Sequence, residues 1–183
     1  MTDTTINGID VQAVRELAAR TVARPDSGVA EFEVCTRWKG GTRAETRVEA
    51  WRLGGERLER NFTIVSDEPP QLAGSASAPN PQEILMAGLN SCMMVGYVAC
   101  CALEGIELEQ LEIRTAGALD LRGFLGIDPE VPPGYEAIHY EVRIRGGGTP
   151  EQFQRIHETV MATSPNFWNV SRPIRLVPTL VLD

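Results

Sequence analysis

The sequence has little positive charge, with 17 Lys and Arg residues against 25 Asp and Glu and a net charge of −8. No stretch concentrates lysine or arginine, so most faces of the folded protein would repel a polyanion. We therefore expect no nucleic acid among its partners.

Histidine is also scarce. The two histidines, His139 and His157, do not stand at ligand spacing from any cysteine or carboxylate, and the four cysteines form no CxxC pair. The glycine run at residues 146–148 is not followed by GK[ST], and no serine lies in a G-x-S-x-G elbow. These absences predict a protein without a metal site and without a bound cofactor.

The N-terminus lacks the basic start and apolar core of a secretion signal. We therefore expect a cytoplasmic protein with reduced cysteines. Residues 84–106 approach the length of a membrane span, but they contain Gly88, Asn90 and Glu104 and have no flanking positive charges. We interpret this stretch as a core helix, with no membrane among the partners.

With 43% hydrophobic and 23% charged residues, the 183-residue chain has the composition of a folded domain with an appendage. Residues 1–28 are predicted to be that appendage. An amphipathic helix over residues 9–23 carries Val11, Val14, Leu17 and Val22 on one stripe, and residues 24–28 end it. The main domain is then residues 29–183.

Apolar and polar residues alternate at period two in several short runs, which predicts strands. Gly-containing turns between the first three runs favour an antiparallel meander. The predicted strands are residues 29–38, 45–53, 60–66, 107–121, 135–145 and 174–182, and the helices after the appendage are residues 81–105 and 151–163. This βββ-α-ββ-α-β order predicts an α+β fold.

The helix from Pro81 has the clearest local signals in the chain. Asn80 is a favourable N-cap, Pro81 suits the first helical position, and Glu83 stands where a capping box places its acid. Gly105 is a natural C-terminal residue. Because the helix is apolar almost all round, we predict that it is long, central and buried.

Three of the four cysteines lie on this helix. Cys92 and Cys100 are ~12 Å apart along its axis at a rise of about 1.5 Å per residue, too far for a disulfide. Cys92 lies about three turns inside the helix, so the helix dipole helps its thiolate little and a nearby arginine would be needed. From the residues alone, a buried cysteine is more often a packing residue, and this interpretation applies to Cys35, Cys100 and Cys101.

Residues 80–92 read NPQEILMAGLNSC and resemble the OsmC/Ohr family signature NPxxLLxAALxxC, a proline-started helix that carries a reactive cysteine. Residues 119–126 read LDLRGFLG and are followed by Pro133-Gly134-Tyr135, which is similar to one subgroup of that family. The resemblance covers residues 29–182.

The resemblance implies an intertwined homodimer with two active sites at the subunit interface. Family members reduce organic hydroperoxides with a cysteine that matches Cys92, and an arginine holds the thiolate. The Gly40-Gly41-Thr42-Arg43 turn resembles the Gly-Gly-Arg region of the family, so Arg43 is the candidate, with Arg37 and Arg47 as alternatives.

The glutamate that partners this arginine in the Ohr branch falls on Gln82. Glu83, one residue later, is therefore either a catalytic candidate or only the capping-box acid.

The sequence departs from the family at the end of the second helix, where family peroxidases carry Cys-Pro. Here Ser164 precedes Pro165, and a serine cannot form the resolving disulfide. An external low-molecular-weight thiol would then have to reduce the oxidised Cys92, because Cys100 could substitute only if the helix unfolded locally. Apolar residues that would line a pocket beside the thiol, or pack in the core, are Met93, Phe167 and Trp168.

Three hypotheses follow for Cys92. The first is a thiol-dependent peroxidase that reduces organic hydroperoxides in an oxidative-stress response. The second is a non-catalytic dimer that binds an apolar ligand or senses oxidation. The third is a thiol that only packs.

Overall fold

The computed structural model describes residues 5–182. The chain forms two compact units, Met1–Ala87 and Gly88–Asp183, and the central helix contributes residues to both. Each unit is described separately. The predicted α+β class is confirmed.

The first element in the described residues is a hairpin of strands β1 (Thr5–Ile6) and β2 (Ile9–Asp10). Asn7 and Gly8 form its turn with positive φ angles of 53° and 76°, as a tight type I′ turn requires. Helix α1 (Val11–Ala23) starts later than predicted because Ile9 and Asp10 pair with the first strand. The Asp10 side chain caps it by accepting from the Ala13 N–H. A short 3₁₀ turn, Pro25–Gly28, follows.

The first unit is built on an antiparallel sheet whose central strand is β5 (Ala44–Leu53). Its neighbours are β3 (Ala30–Phe32), β4 (Cys35–Trp38) and β6 (Glu56–Ser66). The single strand predicted over residues 29–38 is wrong, because the chain breaks between β3 and β4. Phe32 pairs with Trp51 and Cys35 with Arg47, so β5 carries one extra residue, which interrupts the ladder.

One face of this sheet carries large apolar side chains that are exposed. Trp38, Phe62 and Ile64 lie on it, as the register of β4, β5 and β6 shows. Trp38 is 77% exposed. Apolar patches of this kind are common at interaction surfaces of proteins.

Helix α2 (Pro81–Leu103) confirms the predicted central helix and its first residue, and it ends two residues before the predicted end at Gly105. The Asn80 side chain accepts from the Gln82 N–H at 2.7 Å, and Glu83 accepts from the Asn80 N–H at 2.8 Å. At the other end Gly105 has φ +74°, and the Ile106 N–H bonds back to the Cys101 carbonyl. This is a Schellman stop.

The prediction that α2 is buried is correct for only one of its faces. Leu89, Met93, Tyr97 and Cys101 are buried, but Val95 is 67% exposed. The apolar composition predicted that all faces would be covered, and the described residues cover one of them.

By length and composition, α2 is the one helix among residues 5–182 that could cross a membrane. Its buried face packs instead in the core of the second unit with Ile113, Ile156 and Val160. That packing supports the interpretation as a core helix.

The second unit combines a two-stranded antiparallel sheet with helices. Strands β7 (Leu108–Gly117) and β8 (Ile138–Gly146) pair along their length. Helix α3 (Leu121–Phe124) is in the segment that connects these strands along the chain. Helices α4 (Pro150–Thr163) and α5 (Pro165–Ser171) follow β8. The predicted strand over residues 107–121 is too long, because Asp120 caps α3 by accepting from the Arg122 N–H.

One helix of this unit was not predicted, and one predicted strand is wrong. Ser164 and Pro165 end α4 as expected, but they also begin α5 as its N-cap and first residue, a helix that was not predicted. The strand predicted over residues 174–182 does not form. These residues are exposed and pair with no strand of the described chain, and an isolated strand is not stable in water.

Candidate functional site around Cys92

Cys92 lies in α2 with its side chain half-buried. The Ser164 hydroxyl donates a hydrogen bond to the Cys92 sulfur, with 3.4 Å between Oγ and Sγ. Ser164 is only 5% exposed. The two residues are 72 positions apart in the chain, so the fold brings them together.

Two neighbouring interactions hold Ser164 in this position. Its oxygen accepts from the Phe167 N–H at 3.4 Å, which caps α5. The Asn166 side-chain amide donates to the Gly88 carbonyl at 2.9 Å, and this bond fastens α5 to α2 one turn before Cys92. The hydroxyl is therefore fixed beside the sulfur by both helices.

The three residues predicted to line a pocket have different environments. Met93 is fully buried in the core cluster. Phe167 packs partly against that core and meets Tyr140 edge to face, with ring centroids 6.2 Å apart. Trp168 is exposed, and the Arg172 guanidinium stacks on its ring at 3.6 Å.

Phe167 also lines a mainly apolar cavity of about 400 Å³ in the second unit. The wall residues include Leu89, which lies on α2 one turn before Cys92. The others come from the start of β8 and from α5, among them Tyr135, Ile138, Tyr140 and Val170. The cavity is large enough for a small apolar molecule.

The other thiols are less suited to chemistry. Burial raises the pKa of Cys101 to about 11, and neighbouring Cys100 and Glu104 add to the effect. Burial also raises the pKa of Cys100. Cys35 is exposed on β4, and all four cysteines are free thiols. Near neutral pH, Cys100 and Cys101 would be protonated and poorly reactive.

Arg43 lies in the first unit, exposed in the turn between β4 and β5. Its carbonyl accepts from the Lys39 N–H and its N–H donates to the Gly40 carbonyl. Of the alternatives, Arg47 is paired with Glu45 at 3.1 Å. In the described chain no carboxylate lies within 4 Å of Arg43 or of Arg37. Both guanidinium groups are therefore available to another anion.

Glu83 also belongs to the first unit, and its carboxylate accepts from the Asn80 N–H. This contact is the capping-box interaction, so the structure supports the capping interpretation of Glu83. Gln82, which stands at the family's glutamate position, is exposed.

A residue that the sequence did not single out, Asp67, is the most heavily hydrogen-bonded carboxylate in the first unit. It is 2% exposed. Its donors are the Thr42 hydroxyl, the Glu68 N–H, and both the N–H and the hydroxyl of Ser75 and of Ser77. The Ser75 hydroxyl first, then those of Thr42 and Ser77, hold the pKa of Asp67 well below its usual range. No local sequence pattern predicts this network, because Thr42 is 25 residues from Asp67 in the chain.

Across residues 5–182, no cluster of three or more His, Cys, Asp and Glu side chains could hold a metal ion. The chemistry of the site therefore has to be argued from the thiol and its neighbours.

The family model described as OsmC-like protein matches residues 74–177, more than half of the chain. The chain belongs to the OsmC-like family. The match spans Cys92, Ser164 and the helices that bring them together, so the family assignment made from residues 80–92 is confirmed.

Solved structures show the same fold. An OsmC-like protein from Mycoplasma pneumoniae is 13% identical with a TM-score of 0.60, covering 77% of this chain and 87% of its own. A protein described as an osmotic stress induced and detoxification response protein from Psychrobacter arcticus is 16% identical with a TM-score of 0.57, covering 74% and 85%. An OsmC-like protein of unknown function from Vibrio cholerae is 15% identical with a TM-score of 0.52, covering 75% and 91%.

At these identities the solved structures establish the OsmC-like fold and nothing finer. No curated protein shows significant sequence similarity to the chain. What the thiol does must therefore come from its own surroundings.

Proposed function

We propose that this OsmC-like protein is a one-cysteine thiol peroxidase that reduces organic hydroperoxides at Cys92. The observation that carries the proposal is the Ser164 hydroxyl, 3.4 Å from the Cys92 sulfur. It lies beside the thiol, where a resolving cysteine would have to lie, and it cannot form a disulfide. The site therefore supports the oxidation step of the family reaction and lacks its internal resolution step.

The reaction balances with two molecules of an external monothiol. The Cys92 thiolate attacks one peroxide oxygen, the O–O bond breaks, and the alcohol leaves with a proton while Cys92 becomes a sulfenic acid. One monothiol attacks the sulfenic sulfur, and water leaves to give a mixed disulfide. A second monothiol releases the Cys92 thiolate as the external disulfide forms. The protein is unchanged, the hydroperoxide is reduced and the monothiol is oxidised.

Arg43 is the proposed cation that favours the thiolate. A guanidinium close to a thiolate stabilises the charged form, and Arg43 has no carboxylate partner in the described chain. Glu83 is assigned to the helix cap, since its carboxylate accepts from the Asn80 N–H.

The proposed active form is a homodimer with Cys92 at the interface. The supporting observations are uncovered apolar surfaces in both units, namely the sheet face with Trp38, Phe62 and Ile64, and the exposed side of α2 at Val95. Monomeric proteins rarely expose apolar surface on this scale, and closed two-fold dimers are the commonest way to cover it.

The proposed substrates carry an apolar group. The cavity lined by Leu89, Phe167 and Val170 would hold an alkyl or aryl tail. We place the protein in the cytoplasm, where low-molecular-weight thiols are kept reduced and can serve as reductant.

The decisive experiment exposes the Cys35→Ser variant to one equivalent of cumene hydroperoxide with a sulfenic-acid trap. Mass spectrometry should find the trap on Cys92 within minutes, and a Cys35→Ser/Cys92→Ser control should not react. Steady-state turnover should then require a monothiol. An unmodified Cys92 peptide would refute the peroxidase.

A second function, oxidation sensing or apolar-ligand binding without turnover, is favoured by the same Ser164, because a sulfenic acid without a resolving cysteine can persist. It predicts that Cys92 is trapped but that neither monothiols nor dithiols support turnover.

A further inference from the structure

The Asp67 carboxylate joins three separate segments of the first unit. Thr42 comes from the turn between β4 and β5, Glu68 begins the loop that follows β6, and Ser75 and Ser77 lie where that loop approaches α2. Every contact is a donor to a carboxylate oxygen. Asparagine, which has one acceptor oxygen and an NH₂ group, could not accept all of them.

The turn that bears Arg43 has few anchors of its own. Gly40 and Gly41 both adopt positive φ, at 98° and 55°, a conformation that glycine reaches without strain. Apart from backbone bonds, the turn is held by the Trp38 indole N–H on the Gly41 carbonyl and by the Thr42 hydroxyl on Asp67, at 2.7 Å. The Thr42 bond is adjacent to Arg43 in the chain.

The next carboxylate extends the connection to the helix. The Asn80 side-chain amide donates to Glu68, and Asn80 caps α2. Thr42, Asp67, Glu68 and Asn80 therefore form a continuous chain of hydrogen bonds and one peptide link, from the Arg43 turn to the N-terminus of the helix that carries Cys92.

We propose that Asp67 is a positioning residue, which holds the Arg43 turn through Thr42 and so fixes how the guanidinium is offered to the thiolate at the proposed dimer interface. The inference rests on the proposed function, in which Arg43 favours that thiolate. Hydrogen-bond donors surround the Asp67 carboxylate. It can therefore hold the turn without forming an ion pair with the Arg43 guanidinium.

The test measures the rate of Cys92 alkylation by iodoacetamide against pH, in the Cys35→Ser background. The midpoint of this profile is the pH at which half of the Cys92 thiol is ionised. A change in the stability of the fold alone does not change it. Arg43→Gln should raise the midpoint by about 1 pH unit. Near neutral pH this slows alkylation of Cys92 roughly tenfold. Thr42→Val should raise it in the same direction by at least a third of that amount, and Thr42→Ser, which keeps the hydroxyl, should restore the wild-type midpoint.

Thr36→Val is the matched control, since it removes a threonine hydroxyl bonded to Thr46 in the same sheet. It should leave the midpoint unchanged. In the Arg43→Gln background, Thr42→Val should have no further effect. Thermal melts of each variant should confirm that it is folded.

The possible failures are distinguishable. If Arg43→Gln leaves the midpoint unchanged, the proposed role of Arg43 is wrong, and the positioning role of Asp67 is then wrong as well. If Arg43→Gln shifts the midpoint but Thr42→Val behaves like Thr36→Val, the positioning role is overturned and the proposed function stands. A Thr42→Val shift that persists in the Arg43→Gln background also overturns it, because Thr42 would then act by another route.

Discussion

Replacing Ser164 with cysteine should create a disulfide partner for Cys92. The Oγ to Sγ distance is 3.4 Å, and an S–S bond is about 2.0 Å long, so the sulfur atoms need to close by little more than about 1 Å. The Asn166 bond to Gly88 keeps the two helices in place for this step. We expect one equivalent of hydroperoxide to convert Ser164→Cys to an intramolecular disulfide.

The size of the effect follows from the chain separation. A cross-link between residues 72 positions apart restricts the unfolded chain enough to stabilise the fold by ~4 kcal/mol in the chain-entropy model. For a chain of this length each kcal/mol corresponds to roughly 2–4 °C in Tm, so the oxidised variant should melt roughly 8–16 °C above its reduced form. Strain in the new bond would lower this figure.

The assay combines a thiol titration with mass spectrometry and melting curves of the oxidised and reduced protein. The Ser164→Cys/Cys92→Ser variant is the control and should show no difference on oxidation. The oxidised variant should also be reduced by dithiols more readily than by monothiols. The reasoning is refuted if Ser164→Cys keeps both thiols after oxidation, because the side chains would then not be in reach of each other.

Three further predictions follow from the described residues. Iodoacetamide at pH 8 should label Cys35 and Cys92 well before Cys101, because burial raises the pKa of Cys101 to about 11. Peptide mapping over time checks this. Equal labelling rates would contradict the core packing of α2. Asp67→Asn should be less stable than the wild type near neutral pH. Hydrogen bonds lower the folded-state pKa of Asp67 from 3.8. The extra stability of the wild type is therefore present above about pH 4 and shrinks as the pH falls below it. Urea midpoints of the two proteins that stay equally far apart down to pH 3 would count against the network. Gly105→Ala should cost about 1 kcal/mol, because φ is +74° at the end of α2; chemical denaturation measures it, and an unchanged midpoint would argue against the Schellman stop.

Local signals in the sequence were sufficient for the central helix. Asn80, Pro81 and Gly105 act within a few residues of where they stand. The helix starts at the predicted Pro81 and ends two residues before Gly105. The alternating strands β7 and β8 were predictable for the same reason, since the period of two depends only on which face each residue occupies. The family was also readable from residues 80–92.

Other features could not be read from local patterns because they depend on pairing partners. The break between β3 and β4 arises from an extra residue in β5, on the neighbouring strand. The apolar residues 174–182 alternate as a strand does but have no strand to pair with in the described chain. Ser164-Pro165 was interpreted only as the end of α4, but it also starts α5, which is held on α2 by the bond from Asn166 to the Gly88 carbonyl.

The sequence by itself determined the α+β class, the cysteine on a capped central helix, and the serine that replaces a second cysteine. Tertiary structure decided that this serine is the neighbour of Cys92, because a 3.4 Å contact across 72 residues exists only when α4 and α5 pack on α2. It also decided the hydrogen-bond network of Asp67, because its donors come from segments far apart in the chain. Caps and periodicity act over one turn or two residues, whereas a site of this kind is assembled by packing.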